Sequence, residues 1–295
     1  MEDAFMGYHP AINFLFFIGA IVMGMFLVHP YFLCISAAAA MMYYLLLMGR
    51  KGLRFLGSMM VLAVFLSLLN PFLNTRGATV LFQYLNGRNF TLEALLYGIA
   101  TGGMFFTVIL WFSCYNRLMT SDKFLYLFGW CMPAISLLLS MVLRLVPNFR
   151  KKASVIAGAR KCVGKAPSGG SNKEKLAHSV EILSVLTSWA LEGAVMTADS
   201  MKSRGYGSGR RSAFSIYRFR RQDMVVGLVM FVGGALVVTA VVLGRTGIIY
   251  EPTFIMPKTD IVSIVGLAGY GCFLLLPSVL HIWEDVTWHI LRSKI

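Results

Sequence analysis

Five histidines stand at positions 9, 29, 178, 281 and 289, and five cysteines at 34, 114, 131, 162 and 272. No two histidines have a spacing that pairs them on a metal ion. The cysteines lie mostly in apolar surroundings and read as small core residues. His281 and His289 share the tail with Glu284 and Asp285, a pattern that reads as a solvated or interfacial helix face. Gly158 to Lys165 superficially suggests a phosphate loop. That loop needs four residues between its glycines, then Lys and Ser/Thr. Here five residues separate Gly158 from Gly164, and Ala166 follows Lys165. The residues left for specific recognition are cations: 27 Lys+Arg against 13 Asp+Glu, a net charge of +14.

The elements that must position those cations are apolar. Of 295 residues 57% are hydrophobic and 14% charged, against about 25% charged in a soluble domain. Such a chain is neither disordered nor a disulfide scaffold, and its long charge-free stretches exclude an ordinary soluble enzyme. Six segments of about the length that crosses a bilayer contain no Asp, Glu, Lys, Arg or His: 11–28, 31–48, 55–73, 94–115, 224–244 and 261–280. Ion-coupled carriers keep ionisable groups at membrane depth, so these spans argue against a self-sufficient carrier. Glu2 and Asp3 argue against a cleaved signal peptide at the start.

A seventh apolar stretch, 124–146, contains Pro133 and Arg144. If it does not cross, 23 Lys+Arg fall on one side of the membrane and only Arg76, Arg88, Arg245 and Lys258 on the other. The positive-inside rule then predicts six spans with both termini cytoplasmic and 121–146 at the inner interface. The alternative is a seventh, Pro-kinked span.

Residues 147–223 hold 15 Lys+Arg and 5 Asp+Glu. One helical pattern runs from Pro147 to Gly164. A loop of turn residues follows at 166–172. A second, amphipathic pattern begins near Lys173, with Leu176, Val180, Leu183, Leu186, Ala190, Leu191, Ala194, Val195, Ala198 and Met201 at three- and four-residue steps. It stops at Arg204-Gly205, a basic residue at the negative end of the helix and a glycine after it. Arg218, Arg220 and Arg221 precede the fifth span, where they would meet lipid headgroups. Nothing interleaves aromatics with the charge, so a nucleic-acid surface is disfavoured. The pattern alone leaves two readings open, a lipid-touching loop and a protein-docking arm.

Residues 198–207, Ala-Asp-Ser-Met-Lys-Ser-Arg-Gly-Tyr-Gly, resemble the coupling motif of the transmembrane T component of energy-coupling factor (ECF) transporters, the family that includes cobalt-transport subunits. That motif reads roughly Ala-Met-Glu-Ala/Ser-Arg-Gly-Tyr-Gly, and here Lys202 replaces its acidic residue. Leu143-Arg144-Leu145-Val146-Pro147 resembles the family's Leu-Arg-Phe-Ile/Val-Pro element. Thr120-Ser121-Asp122-Lys123 resembles the start of its first interfacial helix, and Leu69-Asn70-Pro71-Phe72 with Gly77 a segment after the third span.

The resemblance implies an all-α polytopic membrane protein with cytoplasmic coupling helices. Its expected parts are transmembrane helices 1–4 in 1–120, the coupling region in 121–223 and helices 5–6 with a short tail in 224–295. It implies a non-catalytic subunit in a prokaryotic cell membrane. Two ABC-type ATPases bind ATP and Mg2+ and dock on it, and a separate S component binds the vitamin or metal ion; this chain holds no cofactor or metal. The docking residues would be Ser203, Arg204 and Gly205 at the second motif, and Arg160, Lys161 and Gly164 near the first. Arg144 and Pro147 would serve the interfacial element. The first motif usually reads near Ala-Gln-Lys-Ala-Arg-Gly, and here Val163 stands in the place of its arginine. The competing readings are a stand-alone permease, which lacks a polar path, and a membrane enzyme, which lacks a His or Asp cluster.

Overall fold

The computed structural model describes residues 4–74, 77, 79–84, 88–164, 172–209, 217–248, 250 and 260–292. The described chain is all-α apart from one small hairpin and divides into two compact units, 1–124 with 217–295, and 125–216. The region expected at 121–223 therefore gives up its first four and last seven residues to the first unit.

The first unit contains α1 (Pro10–Phe26), α2 (Pro30–Met48), α3 (Gly52–Leu73), β1 (Val80–Tyr84), β2 (Arg88–Thr91) and α4 (Leu92–Leu118). After the second unit it resumes with the last two helices of the chain, at Arg221–Val242 and Ile261–Arg292. The six charge-free segments each fall on one of its six helices. Among the described residues five stretches are long and apolar enough to cross a membrane: Pro30–Leu73, Leu92–Leu118, Asn172–Ser203, Arg221–Val242 and Ile261–Arg292. The first of these is two helices, because Gly49 at φ 55° and the Gly49–Lys51 3-10 turn separate α2 from α3. α1, at 17 residues, is about 26 Å long, just short of the roughly 30 Å hydrocarbon core. Asn172–Ser203 lies in the coupling region, where the sequence reading expects a cytoplasmic helix.

Helix starts follow local chemistry. Pro10 and Pro30 open α1 and α2, where a missing N–H costs nothing. His9 Nδ1 accepts the Ala11 N–H at 3.3 Å, and Thr91 Oγ1 accepts the Ala94 N–H at 3.4 Å. The core is aromatic: Phe16 stacks on Phe273 at 5.2 Å, and buried Trp111 donates its indole N–H to Ser36 Oγ at 3.4 Å. The Gly98 and Gly102 pair of α4 packs within this chain, since a Cβ at either would collide with Ser67 of α3.

At one end of this unit, Lys123 Nζ donates to Met6 O at 2.7 Å. Asp223 accepts the His9 N–H at 3.0 Å and the Arg220 N–H at 2.7 Å. At the other end, Tyr250 donates its hydroxyl to Val28 O at 2.8 Å, and Arg245 pairs with Asp260 at 2.9 Å. The antiparallel β1–β2 hairpin joins α3 to α4 at that second end; the sequence reading did not anticipate it.

The second unit takes in α5 (Ser121–Cys131) from Leu125 onward, then α6 (Pro133–Cys162) and α7 (Asn172–Ser203). The remaining helices of the first unit are thus α8 (Arg221–Val242) and α9 (Ile261–Arg292). The 124–146 stretch is broken at Met132–Pro133. α5, with 11 residues, is about 16 Å long, half the thickness of a bilayer core. α6 and α7 run antiparallel: the Phe149 and Trp189 rings lie 5.7 Å apart, Lys152 Nζ sits 5.4 Å over the Trp189 ring, and Arg160 pairs with Glu181. No residue of either helix is fully buried.

Candidate docking site at the helix ends

α7 ends in a complete Schellman cap. The Gly205 N–H donates to Lys202 O and the Tyr206 N–H to Met201 O, both at 3.0 Å, with Gly205 at φ 80°. Only glycine takes that φ without steric cost. The cap turns the chain sharply and leaves Arg204 as the last residue before the turn. Arg204 is exposed, and among the described residues its guanidinium has no carboxylate partner. Ser203 is exposed as well, but its hydroxyl is committed to Ser200 O at 3.0 Å. Ser208 continues the turn, its N–H and its hydroxyl donating to Gly205 O at 3.1 and 2.6 Å. The result is a capped tip carrying a planar fork of donors with no carboxylate partner among the described residues. The negative end of the helix dipole and Lys202 lie behind it.

α6 ends on the same pattern. The Val163 N–H donates to Ala159 O at 3.3 Å and the Gly164 N–H to Lys161 O at 3.1 Å, with Gly164 at φ 74°. Val163 occupies the cap position that Arg204 occupies in α7, and it is 73% exposed. The basic residues expected to substitute for it divide. Lys161 is exposed, whereas Arg160 turns toward α7, is 20% exposed and is held by Glu181. Lys165 lies outside the described residues, as do 166–171 of the expected loop and residues 210–216 of the basic linker. Arg144 and Pro147 lie in the middle of α6 and are exposed.

The structure does not bring the two groups together. From Glu181, beside Arg160, to Ser203 is 22 helical residues, about 33 Å. The two caps point out of opposite ends of the α6–α7 pair, a geometry that presents two separate contacts.

Among the described residues no group of three or more His, Cys, Asp and Glu could hold a metal ion. His281 and Asp285 form an i,i+4 pair at 3.7 Å. The sequence reading named Lys123 only within the Thr-Ser-Asp-Lys element and gave Asp223 no role; both are 3% exposed and tie the segments flanking the second unit to the N-terminal segment. Their position at the ends of apolar runs was the available signal. Tyr8 beside them is pushed above its usual range by burial, then by the Asp223 and Glu284 carboxylates. A comparison with protein-family models and with curated proteins returns no match.

Proposed function

We propose that this chain is the transmembrane coupling subunit of an ECF-type importer. In this reading α1, α2, α3, α4, α8 and α9 cross the membrane, both termini are cytoplasmic, and α6 and α7 are the coupling helices. Two cytoplasmic ATPase subunits dock on the helix ends, and their ATP-driven motion is passed to a substrate-binding S component that takes up a vitamin or metal ion.

The observation that carries the reading is the tip of α7: an exposed Arg204 with no carboxylate partner among the described residues, fixed at a glycine cap. Arg offers a planar fork to carboxylates and carbonyls and stays charged when partly buried. A contact of that kind, once desolvated, is worth about 2–5 kcal/mol when one partner is removed. The cation split supports the proposed orientation. Arg50, Lys51, Arg54, Arg117 and Lys123 belong to the end of the bundle that carries His9 and Asp223. α7 is long and apolar enough to span, yet its pairing with α6 through Arg160–Glu181 and Lys152–Trp189 keeps ionic partners along it, which favours a place outside the hydrocarbon. Purifying the protein with its native partners and identifying every subunit tests the proposal. Two nucleotide-binding proteins and a small membrane protein are expected, and a chain that purifies alone with transport activity would refute it.

A further inference from the structure

An apolar groove of about 530 Å3 runs along the first unit between α1 and α8, lined by Gly19, Met23, Gly227, Phe231, Gly234 and Val238 among others. Its glycines are not all explained by packing. A Cβ at Gly19 would strike the Phe273 ring at 2.8 Å, so that glycine serves the α1–α9 contact. A Cβ at Gly227 would meet nothing within 4 Å, and one at Gly234 only Met23 Cε at 3.6 Å. The missing side chains leave a floor that no other described residue of the first unit covers.

The dimensions select the occupant. The groove extends from Ile12 and Gly227 to Met23 and Val238, eleven residues or about 16 Å. Its volume then corresponds to a cross-section of about 30 Å2, against about 80 Å2 for a helix 10 Å across. A hydrocarbon chain can lie in it whole, whereas a helix could insert only side chains.

The charge at its mouth selects the headgroup. Arg220 is the N-cap residue of α8, seven residues before Gly227. Arg218 and Arg221 flank it, and all three are exposed with no carboxylate partner among the described residues. The adjacent acid, Asp223, is 3% exposed and already accepts the backbone N–H groups of His9 and Arg220. Phe219 packs on His9 at 5.3 Å and joins the starts of the two helices at this mouth.

We propose that the α1–α8 groove binds one acyl chain of an anionic phospholipid whose phosphate lies against Arg220 and Arg221. The site belongs to the bundle and stands whether or not the chain docks ATPases.

The test is native mass spectrometry of the full-length protein in mild detergent. Phosphatidylglycerol and phosphatidylcholine of equal chain length are supplied together. One phosphatidylglycerol is expected to be retained in preference. R220Q and R221Q should each weaken that preference about five-fold. G227L should abolish retention of either lipid with the melting temperature unchanged, because its Cβ enters open space. A photo-reactive residue at Phe231, 75% exposed, should label lipid. Equal retention of the two lipids, retention that survives G227L, or labelling of a protein partner would each overturn the proposal. Should G227L fail to fold, the two arginine variants decide it.

Discussion

α6 and α7 both stop at a glycine of positive φ, Gly164 at 74° and Gly205 at 80°, and in both the glycine N–H returns to the carbonyl three residues back. The residue held just before the glycine is Val163 in one helix and Arg204 in the other. Backbone shape and side-chain chemistry are thus separable at these ends. Glycine fixes where the helix turns, and the preceding residue decides what the turn presents. α6 keeps the shape without the charge, and its nearest arginine, Arg160, is committed to Glu181 inside the helix pair. The account therefore predicts an unequal pair of docking contacts, one ionic and one apolar.

The largest effect is expected at the charged end. Arg204→Glu reverses the contact and should cost about 2–5 kcal/mol of ATPase binding, with helix content by circular dichroism unchanged because the residue is exposed. Replacing the glycines separates shape from charge. Gly205→Val and Gly164→Val should each strain the cap by about 1–2 kcal/mol, visible as a lower melting temperature. The first should weaken docking more than the second, measured by titrating the ATPases. Adding charge at the apolar end sharpens the comparison: Val163→Arg should tighten docking about five-fold, the upper range of an exposed ion pair. Arg160→Gln removes the half-exposed pair with Glu181 and should cost no more than about 1 kcal/mol of stability, with docking unchanged.

The bundle supplies the control. His29 is 2% exposed, and burial pushes its pKa below the ordinary 6.5. The unfolded chain then binds a proton more readily than the folded one, so stability present above pH 6.5 is lost as pH falls below it. A melting series from pH 7.5 to 5 should show this loss, His29→Gln should flatten it, and changes at the α6 and α7 ends should leave it alone.

What the sequence made legible was what depends on one stretch of chain at a time. Five of the charge-free segments became helices within three residues of their expected ends, because apolar length and His-Pro starts act locally; the sixth, 261–280, starts as expected but its helix runs on to Arg292. Val163 could be aligned with Arg204 from motif order, and the matching caps give that alignment a backbone reason. Pairings across the fold were hidden. Arg160 shows no acidic partner in the sequence, and the antiparallel packing of α6 on α7 brings Glu181 to it. Asp223 reads as an ordinary first-turn acid until the His9 N–H arrives from 214 residues away. The β1–β2 hairpin was missed because Val80–Tyr84 and Arg88–Thr91 are short runs between two strong helical signals. α7 shows the limit of periodicity. Its apolar positions recur at helical steps, yet Leu176, Leu191 and Val195 remain 62–68% exposed, so the pattern announced a helix without saying what covers it.

The most direct test of the unequal ends places Arg204→Glu and Val163→Glu side by side in a pull-down of the ATPase subunits by the full-length protein. The account predicts that Arg204→Glu abolishes recovery while Val163→Glu retains most of it. Wild-type recovery with Arg204→Glu would contradict the docking role of the α7 end, and equal loss in both variants would contradict the asymmetry.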